Sequence, residues 1–217
     1  MKENPFTQVR HFIWDFDGTL FDTYPTIIDI LRCALQEYGY DCDGVEAMNL
    51  MLDTIGFARD HYADKYGIDR EALKETYFHY HHKLIPQLRS LPFAGAKEVL
   101  ERICESGRYN YIYTHRISTE TFAYLKKHGL DGYFREVVCP DSPSFAPKPE
   151  PGAILYLKEK YGMTGDNAVM IGDRDCDLES ARRAGIGTVH KLCAVAPQTL
   201  ECDWRFDSFH ELVNLIN

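Results

Sequence analysis

Two carboxylates two residues apart, Asp15 and Asp17, stand where an apolar run ends. The run is Phe12-Ile13-Trp14, and Gly18-Thr19-Leu20 follows the pair. An apolar stretch of this kind reads as a buried strand. Gly18 lets the backbone turn directly after it, because a residue without Cβ accepts positive φ. Neighbouring carboxylates repel unless a cation or a shared proton intervenes, and a hard divalent ion such as Mg2+ takes oxygen ligands. Taken alone, the hexapeptide 15–20 also fits an ordinary surface Asp-Gly turn. Its place at a strand exit favours chemistry, because ligands of open α/β sheets bind beyond the carboxyl ends of the strands.

The elements that must position this pair follow from patterning. Residues 9–14 are strand-like. From Pro25 to about Leu88 the pattern is helical: Ile27, Ile28, Ile30, Leu31, Ala34, Leu35 and Tyr38 recur at three- and four-residue spacing, with Gly39 as a stop. Further helices are expected over 44–53, 57–66 and 69–87, the last with Asp69 as N-cap. No strand signal interrupts this block, so it reads as an all-helical insert. From Arg89 onward the types alternate. Helices are expected at 94–106, 118–128 (Ser118 as N-cap), 149–161, 175–184 and 208–216. Strands are expected at 109–113, 135–139, 168–171 and 186–190, with an edge strand at 204–206. Such alternation implies a Rossmann-like parallel sheet flanked by helices, an α/β core of 1–22 and 89–217 interrupted by a helical domain at 23–88.

Each predicted strand then delivers polar groups at its exit. The second gives Thr114, His115 and Arg116. The loop after the third holds Lys148 between Pro147 and Pro149. The fourth gives Gly172-Asp173 and, four residues on, Asp177. Carboxylates, a hydroxyl and an ammonium on one sheet edge suit phosphoryl transfer. An Asp can attack phosphorus and split one hard step into two. A second carboxyl can protonate the leaving oxygen and then deprotonate water. Fixed positive charge offsets the charge spread over the phosphoryl oxygens. Singly, these residues have plainer readings: Lys148 as an exposed loop lysine, Thr114 as a strand-end hydroxyl, Asp177 and Asp175 as carboxylates favoured at a helix N-terminus.

Composition limits the alternatives. The 217 residues carry a net charge of -9, which argues against a general nucleic-acid or membrane binder. No apolar run reaches the length of a spanning helix, and the first residues do not read as a signal peptide. Seven cysteines (33, 42, 104, 139, 176, 193 and 202) without a Cys-x-x-Cys read as reduced thiols of a cytoplasmic protein. His79, His81 and His82 read as surface or interface residues rather than a metal cluster, because only 79 and 82 share a helix face. Arg59 is as readily an exposed arginine as a substrate contact. Monomer and homodimer are both left open.

Together, Asp15-Phe16-Asp17-Gly18-Thr19-Leu20, Thr114, Lys148-Pro149 and Gly172-Asp173-Arg174-Asp175-Cys176-Asp177 resemble, in order, the four motifs of the haloacid dehalogenase (HAD) superfamily. The continuation to Ala181, Ala184 and Gly185 resembles its phosphatases. The helical insert after the first motif, and the ending 202–212, resemble the branch containing phosphoglycolate phosphatase and β-phosphoglucomutase. The resemblance implies a nucleophile at Asp15 and a general acid/base at Asp17. It implies a Mg2+ site of Asp15, Asp173 and the Asp17 carbonyl, with Asp177 close by. Thr114 and Lys148 would act on the phosphoryl group, Thr19 would help place Asp17, and His115 and Arg116 would stand at the substrate mouth. The expected activity is a Mg2+-dependent phosphatase for a small phosphorylated metabolite, with the helical domain closing over the core as a cap. A phosphomutase and a non-catalytic phosphate-binding module are the alternatives. Dehalogenation is disfavoured, because those relatives lack an acid at the position of Asp17. His115 departs from the Asn frequent in relatives.

Overall fold

A computed structural model of the protein describes residues 4–87, 89–141, 144–192 and 201–216. Among these, six strands form one parallel sheet in the order β3-β2-β1-β4-β5-β6. The strands are β1 (His11–Trp14), β2 (Tyr109–Tyr113), β3 (Phe134–Val138), β4 (Ala168–Gly172), β5 (Gly187–Lys191) and β6 (Trp204–Phe206). The chain divides into two compact units, one of which is Thr23–Ser90.

The unit containing the sheet is covered on both faces, as a parallel sheet requires. Phe12, Ile13 and Trp14 are all fully buried. Ile13 and Met170 join Tyr111 and Tyr113 on one face. Ala153, Ile154 and Leu157 of α7 (Gly152–Tyr161) and Ala181 and Ala184 of α8 (Asp175–Ala184) cover that face. On the other face Trp14 stacks on Phe209 of α9 (Phe209–Val213) at 5.9 Å. Its indole N–H donates to Asn110 Oδ1 at 2.9 Å. The Asn110 amide donates in turn to Leu100 O in α5 (Ala96–Glu105), so a buried polar pair is satisfied rather than orphaned.

Thr23–Ser90 holds α1 (Tyr24–Gln36), α2 (Gly44–Met51), α3 (Ile55–Tyr66) and α4 (Arg70–Leu84). Local signals account for their starts. Asp43 accepts from Val45 N and Glu46 N, Thr54 from Phe57 N and Asp69 from Ala72 N, the N-cap pattern. The helix expected over 69–87 ends at Leu84 and tightens to a 3-10 turn at Ile85–Gln87. Pro86 lacks the N–H that an α-helical bond there needs.

Other element ends also differ from expectation, among them α9, which stops at Val213 rather than 216. Ser118 is not the N-cap of α6 (Ser118–Lys127); Ile117 holds that position. The Ser118 N–H and hydroxyl instead donate to Asp141, at 2.9 and 2.7 Å. The cap thus comes from a residue 23 positions away. Helix α7 starts at Gly152 rather than Pro149. The preceding residues make a turn closed by Glu150 N donating to Pro147 O at 3.0 Å, and the Lys148–Pro149 peptide is cis. Six cysteines are free thiols, and Cys193 lies outside the described residues. Among the described residues no helix is long and apolar enough to cross a membrane.

Candidate active site

The parallel register brings the strand exits to one edge. Trp14 pairs with Ile112 of β2 and Ile171 of β4, so Asp15 emerges between those strands' ends. Its N–H continues the ladder by donating to Ile171 O at 2.8 Å. The backbone turns immediately afterwards. Gly18 has φ 78, and Gly18 N donates to Phe21 O while Leu20 N and Phe21 N donate to Phe16 O. That loop directs the Thr19 hydroxyl onto Asp173 Oδ1 at 3.2 Å. Thr19 is thus bonded to Asp173, at the end of β4.

At the centre lies Lys148. Its ammonium, with no exposed side-chain surface, is 2.5 Å from Asp15 Oδ1 and 2.5 Å from Asp177 Oδ1. It also donates to Tyr113 O at 3.2 Å. Asp177 uses its other oxygen, Oδ2, to accept from Arg174 N at 3.1 Å. One carboxylate therefore ties the start of α8 and answers a buried ammonium. Space for it is made by Gly172, where a Cβ would overlap the Asp177 Cβ, Cγ and Oδ2.

The Lys148 ammonium thus touches two buried carboxylates, and the third, Asp173, is also fully buried. Burial is the strongest influence on Asp15 and pushes its carboxyl up to about 7, against the pull of Lys148 and with Asp177 and Asp173 adding to the rise. Burial also works to raise Asp177, but Lys148 and Arg174 outweigh it and hold Asp177 below the usual carboxylate range. Asp15 is therefore the carboxyl of the two that burial, backed by its acidic neighbours, holds high. Its Oδ2 is buried and accepts no hydrogen bond from a described residue. Oxygens of Asp15, Asp173 and Asp177 all lie within 4.8 Å of one another. Hard oxygen donors gathered this closely, one of them buried and accepting no hydrogen bond from a described residue, fit a divalent cation.

The remaining expected residues divide. Thr114, 1% exposed, accepts from Arg116 N on its hydroxyl at 3.0 Å and so closes the turn after β2. His115 Nε2 accepts from Lys148 N at 2.8 Å, which puts the ring proton on Nδ1. Burial, with Lys148 and Arg174 nearby, lowers its pKa to about 3, so the ring is neutral. Arg116, expected at the substrate mouth, pairs with Asp17 and Glu120. Its i, i+4 spacing to Glu120 was the available sequence signal; its pairing with Asp17, 99 residues away, had none. Arg59 pairs with its neighbour Asp60. Asp175 pairs with Arg182 on the surface of α8.

The sequence profile of the haloacid dehalogenase-like hydrolases matches residues 12–191. The chain belongs to that family. A phosphoglycolate phosphatase of Aliivibrio fischeri is 29% identical over 197 residues, 83% of this chain and 82% of that protein. A predicted phosphoglycolate phosphatase of Haemophilus somnus has a TM-score of 0.82 at 21% identity, covering 97% of this chain and 99% of that one. A candidate β-phosphoglucomutase of Thermotoga maritima has a TM-score of 0.76 at 19% identity, covering 96% and 98%. These two structural likenesses bear on the fold alone. The protein is thus a HAD hydrolase of the phosphatase kind, resembling the expected branch.

Proposed function

We propose that the protein hydrolyses a small phosphorylated metabolite, phosphoglycolate or a sugar phosphate, through an aspartyl phosphate on Asp15. The observation that supports this most is the Lys148 bridge. A buried ammonium holds the carboxylate at the exit of the central strand beside a second and a third acid. In the first step an Asp15 oxygen bonds to phosphorus and the bond to the leaving oxygen breaks, while Asp17 gives that oxygen a proton. In the second, water bonds to phosphorus, Asp17 takes its proton, and the bond to Asp15 breaks to release inorganic phosphate. Lys148 orients the Asp15 carboxylate and faces the transferring oxygens with fixed charge. The Thr114 hydroxyl binds the same group. Asp15, Asp173 and the Asp17 carbonyl are the proposed ligands of Mg2+, with Asp177 supporting them through Lys148. When bound, the ion would add positive charge against the phosphoryl oxygens. The helical unit is proposed as a cap that selects the leaving group.

The test is phosphate release from phosphoglycolate, sugar phosphates and p-nitrophenyl phosphate, with and without Mg2+. Turnover that requires Mg2+ and disappears in Asp15→Asn is expected. Conversion of a hexose 1-phosphate to the 6-phosphate without free phosphate would make the protein a phosphomutase. No release from any substrate would leave a phosphate-binding module.

A further inference from the structure

Arg116 is spent on a task that phosphate binding does not explain. Its side chain is 6% exposed, and its guanidinium is divided between two carboxylates. Nε and Nη2 donate to Asp17 Oδ1 at 3.1 and 2.7 Å, and Nε also donates to Asp17 Oδ2 at 3.3 Å. Nη1 donates to Glu120 Oε2 at 2.6 Å. The guanidinium carbon lies 5.5 Å from the Tyr124 ring and 5.8 Å from the Phe16 ring. Arg116 N is tied to Thr114 Oγ1.

These contacts come from two directions. Glu120 and Tyr124 are one turn apart on α6 and hold the fork from the side of β2. Phe16 holds it from the loop of β1. The fork is therefore fixed by groups other than Asp17, and a planar guanidinium so fixed imposes its orientation on the carboxylate it meets. A buried arginine left without such partners would carry a large desolvation cost, so Glu120 also keeps Arg116 in place.

We infer that Arg116, braced by Glu120, is the positioning residue of the acid/base: it fixes the Asp17 carboxylate at the exit of β1. This rests on the reading of Asp17 as the acid/base. It predicts an effect confined to steps that need Asp17, because misplacing a reacting group by about 1 Å costs on the order of 100-fold.

The test is a cycle of Arg116→Met, Asp17→Asn and their double variant. It is measured as kcat/KM, which reports the first phosphoryl transfer, on phosphoglycolate and on p-nitrophenyl phosphate. The alkyl ester needs its leaving oxygen protonated; p-nitrophenolate leaves without help. R116M is expected to lose about 10- to 100-fold on phosphoglycolate and to stay near wild type on p-nitrophenyl phosphate. Arg116→Lys should recover part of the loss. In the D17N background R116M should cost nothing further, as for two residues acting as one unit. Equal losses on both substrates, or losses that add in the double variant, would overturn the inference and make Arg116 a phosphate contact. Where phosphoglycolate is not turned over, the sugar phosphate that is turned over takes its place. If R116M fails to fold, Glu120→Gln carries the test with the same pattern at smaller size. D17N with wild-type rates on both substrates would instead remove the acid/base reading itself.

Discussion

Replacing Lys148 by Met leaves Asp15 and Asp177 buried with their shared cation gone. Both contacts are 2.5 Å and the ammonium has no exposed surface, so neither solvent nor salt can compensate. Removing one partner of a buried ion pair costs about 3–5 kcal/mol. At roughly 2–4 °C per kcal/mol for a protein of this size, K148M should unfold about 6–20 °C below wild type. Thermal denaturation followed by circular dichroism in EDTA reads this directly. The deficit should depend on pH. Without the ammonium, burial acts on both carboxyls with less opposition: Asp15 is pushed further above the unfolded value of 3.8 and Asp177 rises from its lowered value. A carboxyl raised in the folded state contributes stability that is present below its unfolded pKa and lost as pH rises through its folded pKa. The gap between K148M and wild type should therefore be smallest near pH 4 and widest at pH 8. A further Asp177→Asn substitution should narrow it at pH 8. A K148M protein that melts with wild type across this range would refute the picture of one cation serving two buried acids.

Asp15→Asn is expected to abolish phosphate release while leaving the circular dichroism spectrum unchanged; turnover near wild type would remove the nucleophile. Added Mg2+ should raise the melting temperature, by an amount equivalent to about 2.7 kcal/mol at a hundred times its dissociation constant. Because Asp15 titrates near 7 and a bound carboxylate must be ionised, the rise should be larger at pH 8 than at pH 5; an equal rise would place the ion elsewhere. Gly172→Ala forces a methyl into Asp177 and should cost about 1–3 kcal/mol or more, read as a lower denaturation midpoint with impaired turnover. His115 is a base with a folded pKa near 3, so it contributes stability above its unfolded value of 6.5 that is lost as pH falls toward 3. His115→Ala should flatten the acid side of the stability profile and leave the slope between pH 7 and 8 unchanged.

What patterning could reveal here was the path of the chain to the site edge. Phe12-Ile13-Trp14 ends at Asp15 and Val169-Met170-Ile171 ends at Gly172-Asp173, because a strand buried on both faces must be apolar until it leaves the sheet. Asp69 capping α4 was legible for a similar reason, since cap and helix are adjacent. What patterning could not reveal was which side chain answers which. Thr19 serves Asp173 across 154 residues. Ser118 is held by Asp141, and His115 accepts from Lys148 N across 33 residues. Arg116 turns inward because Glu120, Tyr124 and Phe16 enclose it. Apart from the i, i+4 spacing of Arg116 and Glu120, such pairings depend on three-dimensional neighbours and on charge balance inside a closed volume, which local spacing does not encode.

The order of the sheet bears on how the protein loses its shape. β1 has neighbours on both sides, β2 and β4, and two further strands lie beyond β4 on one flank. Fraying under mild denaturant should start at β6 on one margin and β3 on the other, well before it reaches the middle. In amide exchange, Ile13 and Trp14 should therefore be among the last positions to give up their protons. The segment leading to Asp15 would keep its form while the periphery dissolves.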